Sequence, residues 1–230
     1  VAQEVSPNDY YQQRALCEAL PAIYKIDPKA ALAQARSISD AEIKAKALTD
    51  LADLMPTAQA ASVYQEAEDD AIGYYGNGYS PACVANHAWQ RDQALGAKLF
   101  KAAYTKFVTC HNTVRQAYQQ LPSHSDFAFY YSVIDPAYSR VLLDAQFVRT
   151  IQDSSPNQSG DSVQAVVTAM SAIDINHALE LARQIKGVTG SFDAGLKPAQ
   201  YVLLTPQQRN AIPFSDWVSN PDWVPGTPSN

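Results

Sequence analysis

Five pairs of a small polar residue followed by proline constrain this chain most: Ser6-Pro7, Asp27-Pro28, Ser80-Pro81, Asp135-Pro136 and Thr205-Pro206. Proline at the first position of a helix loses nothing, because that amide has no intrahelical acceptor. The Ser, Thr or Asp before it can accept from the next free amides. Thr205 with Gln208, and Ser39 with Glu42, also have the spacing of a capping box. Each such signal starts a helix, and the apolar periodicity agrees. Leu16, Leu20 and Ile23 recur at four and three residues, as do Ile43, Ala47, Leu51 and Leu54, and later Val163, Val167, Met170 and Ile173.

These signals predict helices over about 7–24, 28–38, 40–55, 57–72, 81–95, 97–120, 136–151, 161–173, 175–186 and 206–211. The best strand candidate is "FAFYYSV" (127–133), which leads directly into a capped helix and reads as helix or extended linker. The fold class is therefore all-α. With 47% hydrophobic residues, the 230-residue chain can bury a sizeable core.

Comparing the chain with itself adds organisation. "IDPKAALAQARSI" (26–38) aligns without a gap on "IDINHALELARQI" (173–185), sharing Ile-Asp, Ala-Leu, Ala-Arg and a final Ile. A degenerate third copy starts at Ile134-Asp135-Pro136, and "RALCEAL" (14–20) is echoed by "KAKALTDLA" (44–52). Alanine at these positions lets helices approach closely while Leu and Ile fill the gaps. A period in the thirties built from helix–turn–helix units resembles the tetratricopeptide- and HEAT-like repeat proteins over residues 7–72 and 160–187. That resemblance implies antiparallel helix hairpins in a short solenoid-like array with a scaffold or binding role. The Trp, Gly and Tyr landmarks of the tetratricopeptide consensus are out of register, and an irregular helical bundle is the alternative architecture. The expected domain is 1–212.

Composition excludes some functions. The net charge is −6, and no Lys/Arg cluster offers the basic face that nucleic acid requires. No apolar run is long enough to span a bilayer. The chain starts at Val1, and its low-charge surface is rich in Gln, Ser, Asn, Thr and Tyr; we expect a removed signal peptide and a secreted or periplasmic location.

Catalytic signals are absent: there is no Gly-x-Ser-x-Gly elbow and no phosphate-cradling loop. "GYYGNG" follows a helix and lacks lysine, so its glycines serve turns, and its neighbours Tyr74, Tyr75 and Tyr79 are left as contact residues. Cys83 and His87 share a helix face. Cys83 and Cys110 form a disulfide if a turn near Gly96 folds 81–120 into a hairpin. If 81–120 is instead one helix, their sulfurs stand about 40 Å apart. Unlinked thiols and a Cys/His metal site are the other readings, and no metal or cofactor is expected. Cys17 is expected in the core. The acids of "EAEDD" (66–70) read as a solvated face favouring a nearby cation, because they oppose the helix dipole. Asp27 and Asp174 are expected to cap, with Arg36 and Arg183 serving the last turns, and His177 to be exposed or capping.

The last segment, 213–230, differs from the rest. It places Phe214, Trp217 and Trp223 among four prolines and cannot form a long helix. Two tryptophans on an extended arm must dock, on the helices or on a partner. The expected function is a non-catalytic scaffold, an interaction subunit of a larger extracytoplasmic assembly. It would bind a protein partner or itself through Phe214, Trp217, Trp223, Tyr74, Tyr75 and Tyr79. A small-molecule or glycan binder using 73–79, and an all-α enzyme, are the alternatives.

Overall fold

A computed structural model describes residues 7–71, 80–113, 123–152 and 163–185. Ten helices occupy them: α1 (Pro7–Tyr24), α2 (Pro28–Ser37), α3 (Ala41–Leu54), α4 (Thr57–Asp70), α5 (Pro81–Arg91), α6 (Gln93–Thr113), α7 (His124–Tyr131), α8 (Pro136–Gln152), α9 (Val163–Ser171) and α10 (Ile175–Gln184). No strand occurs among the described residues. The protein is all-α, and most helices pack chiefly on their near neighbours in sequence. Contacts run α1–α2–α3, α3–α4–α5, α7–α8–α9 and α9–α10. The helices belong to two compact units, with the boundary inside α6 between Lys106 and Phe107. The 213–230 arm and the 206–211 helix lie outside the described residues.

The caps explain most helix starts. Asp27 accepts from the amides of Lys29 and Ala30, each at 3.0 Å. Ser80 accepts from Cys83, Asp135 from Tyr138 and Asp174 from His177. The Ser39–Glu42 box does not form. Asp40 caps α3 by accepting from Ile43, while Gln13 of α1 takes Ser39. Glu42 is left half-buried beside Asp40; burial, then that neighbouring charge, pushes its carboxyl up to about 7.

The sequence repeat has a geometric counterpart. In all three Ile-Asp copies, both amides donate to one carbonyl of the preceding helix. Ile26 and Asp27 reach Ile23, Ile134 and Asp135 reach Tyr131, and Ile173 and Asp174 reach Met170. The capping residues have matching backbones, φ −140° and ψ 93° at Asp27 against φ −150° and ψ 99° at Asp174. Ala31 and Ala35 are buried, as are their counterparts Ala178 and Ala182.

Two elements sharpen the sequence reading, and the first corrects it. The break after α5 falls at Asp92, not near Gly96. Asp92 accepts from Ala94 and Leu95 and so starts α6. Gly96 sits inside α6 because a Cβ there would lie 2.4 Å from the Trp89 Cα. The other is α7, which settles "FAFYYSV" as helix over most of its length, the first of its two readings; it is started by Ser123 accepting from Asp126. Its aromatics build the core of the second unit. Phe107 stacks on Phe127 at 4.3 Å between ring centroids, and Phe127 stacks on Tyr131 one helical turn later.

Candidate functional site

Ser80 fixes the start of α5 and with it the direction of one helix face. Cys83, His87 and Arg91 follow at intervals of four, so their side chains rise in a column. In the first unit this column meets the C-terminal end of α3 and the middle of α4. His87 Nδ1 lies 2.8 Å from Asp53 Oδ2. The other carboxylate oxygen of Asp53 accepts from the Tyr64 hydroxyl. Arg91 donates to the carbonyls of Ala52 and Met55. Those carbonyls belong to the last turn and C-cap of α3, where a cation is favoured; the Ala52 carbonyl also accepts from the Met55 amide at 3.1 Å.

Burial opposes the charge on His87, but hydrogen bonds with Asp53 and Cys83 outweigh it, and the imidazole is pushed up to about 10. Burial likewise favours the neutral Asp53. The His87 and Tyr64 hydrogen bonds and the Arg91 charge prevail and hold its carboxyl below the usual range. Burial and the Asp53 bond push the Tyr64 phenol up. The result is an ionised pair with both carboxylate oxygens engaged. An imidazole that stays protonated at neutral pH cannot serve as a general base there. Cys83, one turn away, is 1% exposed. The arrangement clasps three helices.

The acids at the end of α4 serve the same purpose. Glu66 receives Arg36 of α2 through a forked contact of three bonds at 2.9–3.1 Å. Asp70 pairs with Lys44 of α3 at 2.9 Å, and Glu68 with Lys106 of α6 at 3.2 Å. The expectation of a nearby cation is met, but Glu68 is not solvated. It is 1% exposed, and burial raises its carboxyl against the opposing pull of Lys106. In the second unit, α8 is tied to the start of α10 twice. Arg140 donates to Asp174 at 3.0 Å, and His177 Nε2 lies 2.6 Å from Asp144 Oδ1. His177 is thus a tie between helices; its bond to Asp144 raises the imidazole despite partial burial. Arg36 joins α4 instead of serving only its own last turn.

Cys17 is buried as expected, and burial pushes its thiol up to about 11. Cys83 is a buried free cysteine, and the side chain of Cys110 lies outside the described residues. Tyr74, Tyr75, Tyr79, Phe214, Trp217 and Trp223 also lie outside them. Among the described residues no His, Cys, Asp and Glu side chains group in threes to hold a metal. No described helix is long and apolar enough to cross a membrane.

No family model, curated protein or solved structure matches the chain. Its polar cluster is therefore read from its own geometry. Sequence reasoning found the Cys83–His87 face by spacing but missed Asp53, Tyr64 and Arg91. Arg91 was the one with a signal, being the next four-residue step on that face.

Proposed function

We propose that this chain is a non-catalytic α-helical scaffold, an interaction subunit of a larger extracytoplasmic assembly, with helix pairing of the tetratricopeptide or HEAT kind. One observation carries this reading: six of the nine described ion pairs tie one helix to another or to its cap, and the other three lie within a helix. Asp53, Glu66, Glu68 and Asp70 each bind a cationic side chain from a different helix, and Asp144 binds the His177 imidazole of α10. Carboxylates and histidines used in this way are committed to holding a frame. The shared turn geometry of the three Ile-Asp copies supports the repeat character, and the amide- and hydroxyl-rich composition supports the compartment.

The frame offers a surface to test. Ile134 and Ile173 are half-buried in their connectors, whereas the equivalent Ile26 is 88% exposed. An isoleucine packed in two copies and uncovered in the third marks an unfilled contact. Sedimentation of the full chain with its native extract fraction should show a species larger than 25.1 kDa. The Ile26→Asp variant should shift that species toward the free chain. An unchanged profile, or a monomer throughout, overturns the reading.

A further inference from the structure

Helix α8 has two apolar faces, and only one of them has a partner within the described residues. Ser139, Leu143, Gln146 and Phe147 are buried in the second unit. On the opposite side Ala137, Val141, Ala145, Val148 and Ile151 are exposed at intervals of four, four, three and three, which makes one continuous stripe. Val141 is 67% exposed, Val148 51% and Ile151 45%. Exposed Arg140 and Arg149 flank it.

We infer that the stripe on α8 is the docking site of this chain's own C-terminal arm, residues 213–230. Length is the first argument. From Val141 to Ile151 the stripe runs about 15 Å at the helical rise. Pro213, Pro221, Pro225 and Pro228 favour an extended, three-residue-period arm. In that conformation Phe214, Trp217 and Trp223 fall on one side, and Trp217 stands about 19 Å from Trp223. The two tryptophans thus fit along the full stripe, which runs about 21 Å from Ala137 to Ile151, and Phe214 reaches past its end.

Charge is the second argument. The arm holds Asp216 and Asp222 and no Lys or Arg, while the stripe is edged by Arg149 and by Arg140, which also holds Asp174. Reach is the third. The start of α10 is fastened to α8 by the Arg140–Asp174 and Asp144–His177 pairs, and the chain from 186 to 212 extends up to roughly 90 Å. A tether of that length gives an effective concentration near the millimolar range, which favours the same chain over a second copy.

The test places a photo-crosslinking residue at position 148 in the full chain and uses an equal mixture of unlabelled and ¹⁵N-labelled protein. The expected product joins α8 to the peptide holding Trp217 and Trp223, with only unlabelled–unlabelled and labelled–labelled pairs. Mixed pairs would mean that a second copy supplies the arm, and would overturn the inference. Crosslinks elsewhere, to a foreign protein, or none to the arm would also overturn it. As a second readout, Val141→Asp with Val148→Asp changes only exposed positions. It should leave helical content intact and raise acrylamide quenching about twofold, because two of three tryptophans lose their cover. Unchanged quenching would again count against docking.

Discussion

Replacing His87 by glutamine tests whether the cluster on α5 is a clasp. The imidazole is pushed up to about 10 from an ordinary value of 6.5, with its side chain only 16% exposed. Between those two values the folded chain binds one more proton than the unfolded chain, so stability falls as pH rises. The contribution is complete below pH 6.5, amounts to about 4 kcal/mol at pH 7 and about 2 kcal/mol at pH 8.5, and is gone once pH passes about 10. Removing one partner of a half-hidden pair costs on the order of 3 kcal/mol, because Asp53 then keeps its charge with fewer partners. The assay is urea unfolding of wild type and His87→Gln from pH 6 to 10. The stability gap between them should be about 3–4 kcal/mol at pH 7 and should close steadily toward pH 10. A gap below about 0.5 kcal/mol at pH 7, within the range of ordinary surface changes, would refute the clasp. A gap that widened with pH would refute the sign of the argument.

Three further outcomes follow from the packing. Gly96→Ala adds about 1 kcal/mol of helix propensity, yet its methyl meets Trp89 backbone at 2.4 Å, so α5 and α6 must separate and net destabilisation of about 1–3 kcal/mol should appear on denaturant unfolding. Glu42→Gln removes a carboxylate whose folded value is raised to about 7; its ionisation penalty grows as pH rises from 4.5 through 7, so the variant should be about 1 kcal/mol more stable at pH 8, allowing for partial exposure, and no more stable at pH 4. Asp27→Ala and Asp174→Ala should each cost about 1 kcal/mol by the same assay, with the larger loss at Asp174, which also holds Arg140.

The helices were legible because their signals are local. Asp27, Ser80, Asp135 and Asp174 cap the helices that their own neighbours continue, so a short window of sequence suffices. Ser39 misled because Asp40 is an equally good cap one residue later. Gln13, distant in sequence, binds Ser39 and so settles the choice. Helix α7 was half legible: its aromatics carry strand propensity, which kept an extended linker open beside the helix until Phe107 stacks on Phe127. The clasp was half legible. Spacing put Cys83 and His87 on one face, but Asp53 is 34 residues away, and only the packing of α3 on α5 brings it to the imidazole. Glu68 has the same lesson: its neighbours in sequence are acids, and its burial is decided by Lys106 from another helix.

If the frame held by these pairs serves association, the native particle contains more than this chain. The most direct test is the mass of that particle, measured by native mass spectrometry on the full chain taken gently from its source. The expected species is a complex in which the 25.1 kDa chain is joined by at least one further polypeptide, in fixed stoichiometry. A strict monomer at every concentration, with no companion chain, would contradict it.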